Sequence, residues 1–257
     1  MDWWTQPFVM LYVFTFGAVV GSFLNVVIYR LPRRKSLVRP RSACTSCGAM
    51  IRWFDNLPIL SWFALRGRCR NCGVRISTRY PLVEAAAGAL AVLALWRWGP
   101  GLTGAEVVVF AWASLVLGLI DLDHQILPDA ITYPLIVLGL TASWLGGYTW
   151  WLDSLVGALV GAALPTAVIL LYRALRGIDG MGWGDVKYLA AIGSVVGLHG
   201  CVLVLVIAAT LGAVVGVGLI LSGRGSAKTA LPFGTFLALA VILWLYAPVS
   251  WLAWSPL

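Results

Sequence analysis

The strongest constraint on the fold is a recurring stretch of about twenty apolar residues. Such runs lie near 8–29, 81–98, 104–121, 130–147, 153–172, 186–198, 201–221 and 232–254. A helix needs about 20 residues to cross roughly 30 Å of hydrocarbon, so each run is a candidate span; the run at 186–198 is short and would extend into its flanks. Composition agrees: 61% of the 257 residues are hydrophobic, 11% are charged and the mean hydropathy is +0.91, well outside the range of soluble domains. The 28 glycines suit close helix approach and the 14 tryptophans suit the headgroup zone. The expected fold is an all-α polytopic membrane protein of about eight transmembrane helices. The first run has no basic segment before it and no clear small-residue cleavage site, so it is expected to remain as a span rather than to be removed as a signal peptide.

The basic residues orient the spans. With the amino terminus outside, the loops at 30–80, 173–187 and 222–230 face inward and hold 17 of the 18 Lys and Arg residues, leaving only Arg97 outside. That bias is what the positive-inside rule predicts. The formal charge of +8 is then mainly a topological signal. It favours contact with anionic lipid over a nucleic-acid partner, and no nucleic acid is expected.

Between the first two spans lies a polar insert, residues 31–80, too small to bury a sufficient core alone. It carries two C-x-x-C pairs, Cys44 with Cys47 and Cys69 with Cys72, each followed by a glycine, Gly48 and Gly73. Two such knuckles can present four thiolates tetrahedrally, and a closed sulfur shell makes the metal structural rather than catalytic. Zn²⁺ is the expected ion. Disulfides or unmetallated redox pairs are the alternatives, and a reducing cytoplasm disfavours the disulfides. Cys201, alone in an apolar run, reads as a small core residue.

Ten acidic residues are few enough to take singly. Asp2, Asp55, Glu106 and Asp153 fall in loops or at span ends, where water is expected to reach them. Asp121 ends an apolar run that descends toward the inner face, and Asp123 follows roughly 200° further around the helix, so the two cannot share a cleft. Asp129, after Pro128, reads as a cap for the next helix. Asp185 follows Gly180, Gly182 and Gly184 and opens a later span, again at the inner face. Asp179 lies just before these glycines. Topology therefore sets Asp121 and Asp185 at one depth. Ionisable groups there are costly and invite a functional reading. If the two carboxyls approach, they hold one proton between them, so that one can activate a water while the other polarises a carbonyl. Spacing alone leaves this chemistry level with a proton relay in a transporter.

The combined motifs resemble the type IV prepilin peptidases, the bifunctional leader peptidase and N-methyltransferase family of bacteria. The similarity runs through "GSFLNVVIYRLP" at 21–32, both cysteine knuckles, "RYPLVE" at 79–84, "IDLDHQILPD" at 120–129, "GMGWGDVK" at 180–187 and "PFG" at 232–234. The resemblance implies that Asp121 and Asp185 are the catalytic pair of a GxGD-type aspartic protease at the cytoplasmic face of the bacterial inner membrane. It further implies cleavage of the short basic leader of a prepilin or pseudopilin, and methylation of the new amino terminus from S-adenosylmethionine. The stretch from Leu31 to Ala43 is shorter than in some relatives. The expected parts are a first helix at 1–30, the four-cysteine zinc insert at 31–80 and a seven-helix membrane domain at 81–257 with the protease site.

Other polar residues carry weaker expectations. Gly182, Gly184, Lys187, Asn25 and Glu84 are candidates for a substrate groove. Asn25 could instead hydrogen-bond between helices, Lys187 could snorkel toward water, and Glu84 could pair with Arg75 or Arg79. His124 lacks a second ligand at suitable spacing, and His199 is expected at an outside turn. A proton-coupled transporter would place acids nearer mid-bilayer and show inverted repeats, and neither is visible. A docking module anchored by its spans would leave the glycine-aspartate stretch unexplained.

Overall fold

The structure, a computed structural model, describes residues 3–177, 181–224 and 230–247. Asp2, Asp179, Gly180, Lys228 and the end of the last apolar run lie outside the described residues. The described residues are all-helical apart from loops, two short 3₁₀ turns and two isolated β-bridges, and no strand forms among them. The helices are α1 (Pro7–Arg30), α2 (Leu60–Ala64), α3 (Arg79–Trp98), α4 (Leu102–His124), α5 (Asp129–Trp144), α6 (Trp151–Arg176), α7 (Trp183–Leu221) and α8 (Phe233–Tyr246). Five of them, α1, α3, α4, α6 and α7, are long and apolar enough to cross a membrane. The chain divides into two compact units after Pro100.

In the first unit α1 lies against α3 along a seam of small residues. A Cβ on Gly17 would come within 2.8 Å of the Ala87 carbonyl and Gly88 Cα, and one on Gly21 within 2.7 Å of Glu84 Cα. With no hydrophobic drive between helices in lipid, such backbone approach supplies the dispersion contact that holds them. Asn25 ties the same pair together, its Nδ2 donating to the Tyr80 carbonyl at 3.1 Å. The insert between these helices contains little regular structure: a 3₁₀ turn at Trp53–Asn56 and the single turn of α2. Asp55 lies at the surface of the insert and pairs there with Arg70, whose Nη2 lies 2.6 Å from Oδ1. That guanidinium holds the Asp55 carboxyl below the usual carboxylate range.

In the second unit, α7 is a 39-residue helix only in name, because Gly197 breaks it with φ 72° and ψ −175°. A non-glycine residue pays heavily for that conformation. Cys201 Sγ lies 3.8 Å from the Leu189 carbonyl, whereas twelve residues of straight helix would separate them by about 18 Å. The 198–221 half therefore folds back on the 183–196 half. Asp153 of α6 secures the turn by accepting the Leu198 N–H at 3.0 Å, which caps the second half-helix. This corrects the expectation of a merely solvated Asp153. The physical reason is that a helix restarting inside the protein needs an acceptor for its first free N–H groups.

Glu106 is a second correction. It is only 3% exposed, because the loop after α5 closes over it and the Tyr148 N–H donates to its Oε2 at 2.7 Å. Cys201 is fully buried, as its apolar setting predicts.

Glycine also sets the α6–α7 seam. A Cβ on Gly193 would overlap the Gly157 carbonyl, and one on Gly161 the Leu189 carbonyl. Gly193→Val is expected to force the helices apart at a cost of about 3 kcal/mol or more, since rigid backbone cannot yield as a side chain does. Thermal unfolding in detergent checks it: a midpoint equal to that of the parent protein would contradict this close packing.

Candidate active site

Asp121 sits in the last turn of α4, and the helix stops there for a visible reason. Gln125 takes a left-handed conformation (φ 52°, ψ 40°) and returns its N–H to the Asp121 carbonyl at 2.8 Å. The chain then turns through Leu127 and Pro128 into α5. Asp121 is 5% exposed, whereas Asp123 points outward, which agrees with their angular separation on the helix.

The Asp121 carboxylate meets the start of α8. Oδ2 accepts the Thr235 N–H at 2.9 Å, the Gly234 N–H also donates to the carboxylate, and the Thr235 hydroxyl oxygen lies 3.3 Å away. The first N–H groups of a helix have no internal partner, so a carboxylate at this end satisfies them and complements the helix dipole. Gly234 suits the approach: a Cβ there would stand 3.0 Å from both Asp121 Cγ and Oδ2, tighter than ordinary side-chain contact. The "PFG" stretch is visible in sequence, but its partner is not, because nothing local links Gly234 and Thr235 to a residue in α4.

Asp185 lies in the first turn of α7, three residues after the capping Gly182. Its N–H donates to the Gly182 carbonyl at 3.1 Å, and its carboxylate accepts the Gly182 N–H in return. This is one half of a capping box, with aspartate in the place usually taken by Glu or Gln, because Gly182 has no side chain to return the bond. Asp185 is 8% exposed. Gly182 borders the space beside the acid, whereas Gly184 serves packing: a Cβ on it would meet Leu127 Cβ at 3.0 Å. The two glycines thus do different work.

Asp121 and Asp185 line one cavity of about 870 Å³, together with Gln125, Pro165, Met181 and Phe233. The two carboxyls act on each other electrostatically across it. A cavity of this size accommodates a short extended peptide segment. Gln125 also reaches out of the α4 cap to donate to the Ala230 carbonyl at 3.1 Å, tying the segment before α8 to the same wall.

Lys187 is committed elsewhere. Its Nζ lies 2.6 Å from Asp129 Oδ1 and 5.3 Å from the Tyr133 ring centroid. Asp129 is therefore not a helix cap; Pro128 occupies the capping position and makes no side-chain bond, while the carboxylate pairs with Lys187. Glu84, in the first unit, accepts the Ile59 N–H at 2.7 Å, and Asn25 bonds to Tyr80. His199 is exposed and lies edge-on to Trp244, with 6.2 Å between ring centroids.

The four insert cysteines form a second site. In the first knuckle the Cys44 N–H donates to the Ala49 carbonyl at 2.9 Å and the Gly48 N–H to Cys44 at 2.9 Å; in the second, Cys69 bonds to Val74 and Gly73 to Cys69 at the same distances. Gly48 and Gly73 take φ +69° and +72°, which the turn needs. One hairpin is thus built twice. All four Sγ atoms lie within 4.8 Å of one another, with Cys44 and Cys72 at 3.8 Å. Tetrahedral sulfurs about 2.3 Å from one ion would stand roughly 3.8 Å apart, so the cluster suits a metal ion. The Ala49 N–H and the Asn71 amide pull the Cys47 thiol down to about 6, and the Cys72 and Asn71 N–H groups lower Cys69. At Cys72 the Val74 N–H also pulls down, but desolvation and the three neighbouring sulfurs outweigh it and leave the thiol at about 11.

Comparison with known proteins agrees with this layout. A model of the type IV leader peptidase family matches residues 108–217, which hold both aspartates, and one of the bacterial peptidase A24 N-terminal domain matches 15–98, which hold the cysteines. A Pseudomonas putida protein named prepilin leader peptidase/N-methyltransferase is 41% identical over 253 residues, covering 89% of this chain and 88% of its own. Proteins of the same name from Burkholderia pseudomallei and Aeromonas salmonicida are 40% and 37% identical, over 86% and 90% of this chain and 80% and 89% of theirs. No solved structure matches.

Proposed function

The chain belongs to the type IV leader peptidase family, and from that premise we propose that it cleaves the leader of a prepilin or pseudopilin and methylates the new amino terminus. The observation that carries the reading is the pair of buried aspartates, Asp121 and Asp185, at two helix ends on one cavity. One carboxylate takes a proton from water, and the resulting hydroxide adds to the scissile carbonyl carbon while the other, protonated, carboxyl polarises its oxygen. Collapse breaks the C–N bond, and a carboxyl returns a proton to the leaving amine. In the second reaction the freed amine would receive a methyl group and lose a proton; bound S-adenosylmethionine would supply that methyl from its sulfonium, leaving a thioether. Family membership does not favour a proton-coupled transporter.

Eight spans, an outside amino terminus and an active site facing the cytoplasm complete the reading. Support comes from the eight apolar runs, the fold-back at Gly197 that makes two helices of α7, and the confinement of basic residues to three loops. The working parts are a first helix at 1–30, the insert at 31–80 and the membrane domain at 81–257. Zinc is the ion assigned to Cys44, Cys47, Cys69 and Cys72, where it would fix the insert's fold and do no chemistry on substrate. Gly182 leaves room for substrate beside Asp185.

Mass spectrometry of a purified prepilin, after incubation with the protein and S-adenosylmethionine, tests the proposal. The expected product has lost its basic leader and its new amino terminus is about 14 Da heavier, the increment of one methyl group replacing hydrogen. An intact prepilin, in the presence of folded protein, would refute the peptidase reading. A cleaved product with no added mass would refute the methyl transfer alone.

A further inference from the structure

Asp121 has to exist in two protonation states during one turnover, and its hydrogen-bond partners must tolerate both. The Thr235 N–H can bond to either form. The Thr235 hydroxyl faces a choice: its oxygen lies 3.3 Å from Asp121 Oδ2 and 2.9 Å from the Gly118 carbonyl oxygen. A hydroxyl has one proton to donate, so it serves one acceptor at a time. An ionised carboxylate is the stronger acceptor, since charge-assisted hydrogen bonds are roughly twice as strong as neutral ones. A neutral carboxyl loses that advantage, and the nearer Gly118 carbonyl takes over.

We propose that the Thr235 hydroxyl is a two-position donor that follows the protonation state of Asp121, turning to Oδ2 when the acid is ionised and to the Gly118 carbonyl when it is neutral. The inference rests on the reading of Asp121 and Asp185 as the catalytic pair. When Asp121 takes a proton from the attacking water, the O–H bond of water breaks, the hydroxide bonds to the scissile carbon and the hydroxyl of Thr235 swings to Gly118. When Asp121 gives the proton to the leaving amine, the hydroxyl swings back. No donor is stranded at either stage, so the exchange proceeds without the penalty of a buried unsatisfied group. Thr235 is a positioning residue, acting through Asp121. The titratable groups facing Asp121 are Asp185 and Tyr188, both on α7, and the first turn of α8 adds none.

Thr235→Val keeps the shape and the N–H and removes only the hydroxyl; Thr235→Ser keeps the hydroxyl. For leader cleavage, Thr235→Val is expected to lower kcat about 10- to 100-fold with KM within about twofold, and to move the acidic limb of the pH–rate profile upward by about one pH unit. Thr235→Ser is expected to stay within about threefold of the parent protein. Thermal unfolding in detergent accompanies each variant, and Thr235→Ala against Thr235→Ser gives the same comparison if valine is not tolerated. The proposal is overturned by a Thr235→Val protein with parental kcat and pH profile, by a defect confined to KM, or by a serine variant as impaired as valine. An Asp121→Asn control separates the two levels: an inactive control beside an active valine variant sinks the hydroxyl role alone, and an active control sinks the catalytic reading with it.

Discussion

Asparagine at either Asp121 or Asp185 is expected to lower the rate of leader cleavage by at least about 10³-fold, with membrane insertion and metal content unchanged. The reason is narrow. An amide keeps the shape of the carboxyl and can still accept the Thr235 or Gly182 N–H, but it can neither take a proton from water nor present one to a carbonyl. The double variant is expected to be little worse than either single one, because groups that act as a unit lose their whole contribution when one fails. Stability should move the other way. Two buried carboxyls share one cavity, and replacing one with a neutral group removes repulsion and desolvation cost, so the melting temperature should hold or rise. Cleavage assays on a prepilin, run beside thermal unfolding, read both. Cleavage at a parental rate by both single variants would refute the assignment; loss of activity with a collapse in melting temperature would make the aspartates structural.

The site's parts could be read from the sequence where the constraint was local or set by the bilayer. Depth is one such constraint: an acid at the end of an apolar run is expected at the membrane surface whatever its partners are, and Asp121 and Asp185, so paired by the sequence, line one cavity. The cysteine knuckles are another, since C-x-x-C followed by glycine fixes its own hairpin. Partnerships between distant residues were not legible. Nothing near Asp121 signals that Thr235 will bond to it, nothing near Asp129 signals Lys187, and Asp153 gives no local hint that it will cap a helix restarting after Gly197. Glu106 reads as a solvated span-end acid because the loop that buries it arrives 42 positions later, at Tyr148. The glycine-aspartate stretch shows the same division. Gly182 and Asp185 make a local turn at the start of α7, while the purpose of Gly184 emerges only when Leu127 is seen against it.

The insert sets up the other large effect. Its apolar side chains do little to hold it together: Met50 is 73% exposed, Trp53 74% and Phe63 65%. What fixes the chain is the double hairpin, the Asp55–Arg70 pair and the Trp62 Nε1–H bond to the Ile76 carbonyl at 3.1 Å. Exposed ion pairs contribute at most about 1 kcal/mol, which leaves a segment of this size short of a stable fold. A tetrathiolate zinc site supplies about 10–16 kcal/mol in isolated finger peptides at neutral pH, enough to decide whether the segment folds at all. Cys44→Ser and Cys69→Ser are therefore each expected to lose about one zinc per chain and to leave the insert unfolded. Trypsin makes a direct probe, because the insert is dense in arginine: the metal-loaded protein should resist cutting between α1 and α3, and the serine variants or chelator-treated protein should be cut there quickly. Restored resistance on adding zinc back to the chelated protein would tie the effect to the metal. Equal resistance before and after chelation, with four free thiols and no metal by elemental analysis, would show that the hairpins stand without an ion.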